Sequence, residues 1–246
     1  MLPNLSALTQ KPRNALRPGR ATDDGIYCLD RKEALVPCNA SVVLKRGALP
    51  ATKAEFEEAA EFMATRVRQD SFMGNAVPRK QCTFGPVQYK AYQLWSDESQ
   101  WPTLVHRVRD ATQAFAAMLG VPNPEEYTGV HANLYPDGDA SVQKHSDDEP
   151  QLVDVAPIFS FTYLADDSPC LAREFTIWKM PKGADHVEGK GRLADVTLYS
   201  GDLLVMQGNM QKYFYHSIEK QKGKPLAARL NFTVRKFRPK EKRPRE

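Results

Sequence analysis

Cysteine is sparse in this sequence, and its spacing excludes two common uses. The four cysteines, Cys28, Cys38, Cys82 and Cys170, form no CxxC pair, which argues against a zinc ribbon or a redox couple. Long hydrophobic runs are missing too. No stretch approaches the ~18 apolar residues of a membrane span, and the N-terminus has no apolar signal core. A soluble, intracellular protein with reduced thiols is expected, with no membrane partner, and nuclear if the source is eukaryotic. No internal repeat is found, and a monomer is the default.

What is present is an ordinary globular composition, 41% hydrophobic and 26% charged, with a formal net charge of +4. The length of 246 residues suits one domain with a core deep enough to shelter a redox metal. The charge distribution is more telling than its sum. Residues 1–20 carry Lys11, Arg13, Arg17 and Arg20 without an acid, and residues 235–246 carry seven Lys or Arg against two Glu. Basic ends raise affinity for a polyanion, most commonly nucleic acid, although solvated tails account for them equally well. The expected organisation is a basic flexible arm over 1–40, one domain over 41–238 and a basic tail over 239–246.

Two helices come first. Thr52 with Glu55 forms a capping box ahead of an apolar stripe at Phe56, Ala60, Met63 and Val67. The second helix runs from about Pro102 to Leu119, with Leu104, Val108, Phe115 and Met118 on one side and Gly120 as its stop signal. From Tyr127 the period changes to that of strands. Candidates are 129–135, 141–147, 158–164, 175–178, 195–199, 203–206, 213–218 and 229–236. Eight short strands after helices predict a mainly β (α+β) fold, a double-sheet jelly roll buttressed on one side by the N-terminal helices.

Strand alternation sorts the polar residues by face. His131, Asn133 and Tyr135 oppose Val130, Ala132 and Leu134. Gln143, His145 and Asp147 share a face. Arg229, Asn231, Thr233 and Arg235 oppose Leu230, Phe232 and Val234. Two arginines flanking Asn and Thr on one face suit a bound anion such as a dicarboxylate.

A His-x-Asp pair with a distant third His can complete the facial triad of non-haem Fe(II) oxygenases, which leaves three coordination positions open for reactants. The pair alone is weak, because roughly one is expected by chance in every three sequences with this His and Asp content. His186-Val187-Glu188 has a similar outline but sits in the Gly-rich, charged stretch 182–192, where no strand would hold ligands in register. His216 reads as a core histidine or as the third ligand. The chain order, with His-x-Asp first, a late His next and an Arg-bearing strand after it, favours the ligand.

Together, Asn133-Leu134-Tyr135, His145-Ser146-Asp147-Asp148-Glu149, His216 and 229–235 resemble, in order and spacing, the motif set of the AlkB family. Val77-Pro78-Arg79-Lys80-Gln81-Cys82-Thr83-Phe84-Gly85 resembles the nucleotide-recognition region of its eukaryotic DNA-repair members, as does Gly201-Asp202-Leu203-Leu204-Val205-Met206. The likeness spans about residues 45–238. It implies Fe(II) held by His145, Asp147 and His216, with O2 and 2-oxoglutarate as co-substrates. Arg229 would pair with the distal carboxylate of 2-oxoglutarate, and Asn133, Tyr135, Asn231, Thr233 and Arg235 would complete that pocket. Glu149 would accept from the exocyclic amine of a flipped base, with Asp148 at the substrate edge and Arg79 in the recognition string. Tyr89, or its rival Tyr92, would stack on the base. Phe72 and Met73 stand where duplex-acting relatives carry an apolar wedge, on a linker about two residues shorter.

The implied reaction is oxidative demethylation of N1-methyladenine and N3-methylcytosine in DNA, single- or double-stranded, releasing formaldehyde and succinate. The alternatives are an RNA demethylase of the same family, an oxygenase of the same fold acting on protein or a small molecule, and an inactive nucleic-acid-binding module.

Overall fold

The computed structural model describes residues 14–15, 20–21, 23–29, 39–180, 191–223 and 226–238. In chain order these form β1 (Asn14–Ala15), β2 (Arg20–Ala21), β3 (Gly25–Leu29), β4 (Ala40–Lys45), α1 (Lys53–Arg66), β5 (Ser71–Phe72), β6 (Asn75–Ala76), β7 (Lys80–Phe84), β8 (Gln93–Trp95) and α2 (Thr103–Met118). They continue with β9 (Gly129–Tyr135), β10 (Val142–His145), β11 (Ile158–Leu164), β12 (Arg173–Lys179), β13 (Arg192–Leu198), β14 (Asp202–Gly208), the single turn α3 (Met210–Tyr213), β15 (Phe214–Ile218) and β16 (Arg229–Arg235). A major sheet in the order β1-β3-β4-β14-β11-β16-β9-β7-β8 faces a minor sheet in the order β10-β15-β12-β13-β2. This is a two-sheet jelly roll, as the alternation predicts.

The helices cover the outer face of the major sheet. α1 begins with the expected capping box: Glu55 N–H donates to Thr52 Oγ1 at 3.2 Å, and Thr52 N–H donates to Glu55 Oε2 at 2.7 Å. α2 ends where Gly120 takes φ +69°. There Val121 N–H reaches Ala116 O at 2.9 Å and Gly120 N–H reaches Ala117 O at 3.0 Å, closing the last turn. Phe62, Met63, Leu104, Val108 and Phe115 then pack on Val130, Ala132, Leu134, Leu230, Phe232 and Val234. Met118, expected in that stripe, is 40% exposed, because the helix end runs past the edge of the layer it covers.

A second apolar layer, including Leu44, Ile158, Phe175, Ile177, Leu204, Met206, Phe214 and Ile218, fills one part of the space between the sheets. The remainder is a polar-floored cleft. Both faces of β9, β11 and β16 are therefore buried, one under helices and the other inside the roll.

Within the segment expected as a flexible arm, some of the described residues are paired in strands. Gly25–Leu29 pairs antiparallel with β4 over five positions, Gly25 opposite Leu44 through Leu29 opposite Ala40, and β1 and β2 add short parallel pairs. The cause lies in β4, whose Val42, Val43 and Leu44 are all buried. A strand buried on both faces needs a neighbour at its open edge. The basic residues Lys11, Arg13 and Arg17, the 239–246 tail and the His186-Val187-Glu188 string lie outside the described residues. No helix among those described is long and apolar enough to cross a membrane.

Candidate active site

The minor sheet places the two histidines side by side. β10 and β15 pair antiparallel with His145 opposite His216, and their ring centroids are 4.2 Å apart. The expected strand 141–147 is shorter than its alternation suggests. It ends at His145, and Asp147 lies just beyond it, where its N–H donates to Gln211 Oε1 of α3 at 2.9 Å. That bond turns the carboxylate inward. Asp147 Oδ1 is 3.9 Å from His145 Nε2, and its Oδ2 is 3.9 Å from His216 Nε2. One donor atom from each residue lies within 4.8 Å of the others, a cluster that could hold a metal ion.

The charge states suit that use. Burial alone would raise the Asp147 pKa, but the Arg235 guanidinium, with His216 and His145 behind it, holds this carboxyl well below the usual range. Arg235 Nη2 donates to Asp147 Oδ2 at 2.8 Å. His216 is pushed down to about 3, first by burial and then by the charge of His145, so its ring is neutral, the form that coordinates metals. Phe175 stacks on it at 5.2 Å and fixes its plane.

Beyond the triad, three neighbouring strands present one polar face. β16 pairs with β9 so that Arg229 faces Tyr135, Asn231 faces Asn133 and Thr233 faces His131. On its other side Asn231 faces Thr162 and Thr233 faces Ser160. Asn231 Nδ2 donates to Ser160 Oγ at 2.8 Å and to Phe161 O at 2.9 Å, and Thr233 Oγ1 donates to Asn231 Oδ1 at 3.2 Å. Arg229 is 1% exposed. Its Nη2 donates to Thr162 Oγ1 at 2.9 Å, while Nε and Nη1 have no partner. Arg235 likewise leaves Nε and Nη1 unused. Buried guanidinium donors without acceptors are costly, and a dicarboxylate fits this gap in charge and in donor geometry. Burial lowers the Arg229 pKa only to about 10, so the cation persists at neutral pH.

The triad, Phe175, His131, Asn133, Tyr135, Ser160, Arg229, Asn231, Thr233 and Arg235 line one cleft of about 1040 Å³. Its lining also includes Arg68, Arg79, Lys90, Lys144 and Lys220, against Asp70 and Asp147 as acids. The opening is therefore cationic. At its lip β5 and β6 form a hairpin whose turn, Met73-Gly74, has φ of +51° and +78°. Met73 stands 85% exposed at the tip.

The expected substrate residues divide. Arg79 lines the cleft but is tied to Ser141 O at 2.5 Å and to Gln81 Oε1 at 3.2 Å. Tyr89 is 1% exposed, packed with Leu152 and Phe237. It lines the cleft all the same, as does its rival Tyr92, which is half-buried and stacks on His131 at 4.7 Å. Asp148 and Glu149 line not this cleft but an adjoining pocket of about 500 Å³, which the cleft meets at Asp147, Met206 and Arg235. Glu149 Oε1 is ion-paired with Lys90, and its Oε2 is buried without a partner. Phe72 contributes backbone to the hairpin.

Sequence reasoning assigned no role to His131, Ser160, Thr162, Phe175, Gln211 or Lys90. His131 could have been found, since it shares a face with Asn133 and Tyr135. Gln211 carries no local signal, because its partner Asp147 is 64 residues away.

A jelly roll with a two-histidine, one-carboxylate cluster and an unsatisfied buried arginine beyond it is the architecture of a non-haem iron oxygenase. The family model of the 2OG-Fe(II) oxygenase superfamily matches residues 43–235. The DNA oxidative demethylase ALKBH2 of Bos taurus is 27% identical over 239 residues, covering 95% of this chain and 81% of that protein. ALKBH2 of Homo sapiens is 26% identical over 204 residues, covering 81% and 73%. The solved structure of OsALKBH1 shares the fold at a TM-score of 0.51 and 16% identity, covering 83% of this chain and 99% of that one. The chain belongs to the 2OG-Fe(II) oxygenase superfamily and, within it, to the AlkB type. It is a dioxygenase that works with Fe(II), 2-oxoglutarate and O2.

Proposed function

We propose that this enzyme demethylates N1-methyladenine and N3-methylcytosine in DNA, releasing formaldehyde and succinate. The observation that carries the reading is a single cleft with a metal-binding triad and an unsatisfied buried arginine on its floor and cations around its opening. The curated relatives named as DNA oxidative demethylases support DNA as the substrate.

In this reading His145, Asp147 and His216 hold Fe(II). Arg229 anchors the distal carboxylate of 2-oxoglutarate, with Asn133, Tyr135, Asn231 and Thr233 lining its path. Arg235 keeps Asp147 ionised and oriented. When bound, iron with 2-oxoglutarate and O2 supplies oxidation of an N-methyl C–H to C–OH, with decarboxylation of the co-substrate to succinate and CO2. The hydroxymethyl group then leaves as formaldehyde, and the ring nitrogen regains an ordinary base. Lining cations receive the backbone phosphates. Tyr92, on His131, offers the flipped base a stacking surface, and Glu149 Oε2 is a free acceptor for its exocyclic amine. Methylation at these ring nitrogens blocks base pairing, so damaged bases are the cheapest to extrude.

The test is formaldehyde release with Fe(II) and 2-oxoglutarate on N3-methylcytosine in single-stranded DNA, duplex DNA and RNA. Turnover is expected on both DNAs and to a lesser extent on RNA. Turnover on RNA alone would move the substrate class to RNA, and none on any of the three would overturn the demethylase reading.

A further inference from the structure

The three residues of the metal cluster are not supported alike. His145 and His216 stand opposite one another on paired strands, β10 and β15. His145 Nδ1 donates to Gln143 O at 2.8 Å, and Phe175 stacks on the His216 ring. The ladder and these contacts fix both imidazoles. Asp147 has no such frame, because it lies two residues past the end of β10. Its side chain is 2% exposed, and it is clamped at its two ends. Arg235 Nη2 donates to Oδ2 at 2.8 Å, and the main-chain N–H donates to Gln211 Oε1 at 2.9 Å. Gln211 is itself held. Its Nε2 donates to Met206 Sδ at 3.2 Å, which turns the amide oxygen towards Asp147. Met206 is buried in β14, between Ile158 of β11 and Val42 of β4. The turn that carries Gln211 is tied to the start of β4, where Asn209 N–H donates to Asn39 O at 3.3 Å. Gln211 lines the adjoining pocket and not the cleft, so it supports Asp147 from behind the reactants.

We propose that Gln211 is a positioning residue that sets where the Asp147 carboxylate stands relative to the two strand-held histidines. The inference rests on the triad as the metal site and is independent of the substrate. Without the amide oxygen a buried N–H loses its acceptor, and the segment after His145 shifts to find another. Asp147 carries its carboxylate along, while Arg235 still holds Oδ2. All three ligands are then present, but the carboxylate is displaced from the rings. Removing a support of this kind costs about 10–100-fold in metal affinity.

The measurement is electron paramagnetic resonance of the full chain titrated with Mn(II). The free-ion signal reads the affinity, and the line shape of the bound ion reads the ligand geometry. Gln211→Leu should bind Mn(II) about tenfold more weakly, the lower end for an outer support, and with an altered line shape. Gln211→Asn draws the amide back by one methylene and should show the same loss; it decides the question if Gln211→Leu does not fold. Gln211→Glu keeps an acceptor at the same reach and should return the wild-type line shape. That readout matters because the added negative charge could raise affinity by itself but would not restore the geometry. Affinity and line shape unchanged in Gln211→Asn, or a line shape that stays altered in Gln211→Glu, would overturn the positioning role alone. A wild-type affinity that His216→Ala leaves untouched would overturn the triad as the metal site and the inference with it.

Discussion

Arg229 and Arg173 are both fully buried and both approach the Tyr135 ring, at 5.1 and 5.6 Å. Their hydrogen bonds separate them. Arg173 donates to the carbonyls of Asp137, Ala140 and Glu219 at 3.0, 2.7 and 2.6 Å, so it ties together two loops, the one between β9 and β10 and the one after β15. Arg229 has one hydroxyl partner and two idle nitrogens. Arg229→Met should therefore weaken 2-oxoglutarate binding by about 100-fold, the cost of losing a buried charged pair, by calorimetry with Mn(II). Stability without co-substrate should hold or rise, because an unsatisfied buried cation is removed. A large drop in melting temperature would instead assign Arg229 the structural role of Arg173.

Titration is also decided at this scale. His131 and His216 are both depressed, His131 by burial and then the Arg235 charge, His216 to about 3. Unfolding returns each to an ordinary value near 6.5, so below that pH the unfolded chain binds more protons. The metal-free protein should lose stability as pH falls from about 6.5 towards 3, by up to roughly 1.4 kcal/mol per pH unit for each histidine. Asp147 adds to the loss only below the ordinary carboxylate range. Urea midpoints between pH 7 and 4.5 check this, and His131→Phe should halve the slope. A flat profile would mean that these rings are not held neutral.

At the level of elements, legibility followed how local the cause was. β9 and β11 match the alternation end to end, and β16 stops one residue short of the expected 236. Each has one apolar face under helices and one polar face in the cleft, so their pattern is written in consecutive residues. β3, β4 and β7 were not legible as strands. β4 is apolar on both faces, β3 exists to cover its edge, and Lys80–Phe84 reads as a recognition string rather than an alternating strand. The triad and the Arg229–Arg235 face could be read from spacing and resemblance. The Asp147 turn and the Lys90–Glu149 pair could not, since both depend on contacts between distant segments. Thr52→Ala should cost about 1 kcal/mol by removing half of the capping box, measured by urea denaturation. Met73→Ala should reduce activity on duplex DNA several-fold more than on single strands if the hairpin tip fills the gap left by a flipped base. Equal losses would refute that role.

Across the whole molecule, the division of labour between the sheets explains why one cleft can run this chemistry. The minor sheet supplies His145 and His216, the major sheet supplies the polar face that carries Arg229 and Arg235, and the helices pack on its other side. Asp147 and Arg235 join the two, the carboxylate of the candidate metal cluster and a guanidinium at the end of β16 that donates to it. This central claim is tested most directly by measuring formaldehyde and succinate together from an N3-methylcytosine single strand, in wild type and in His145→Ala. The wild type should release the two products in equal amounts, dependent on added Fe(II) and 2-oxoglutarate, and His145→Ala should release neither above background. Formaldehyde release that survives in His145→Ala, or that proceeds without 2-oxoglutarate, would contradict the account.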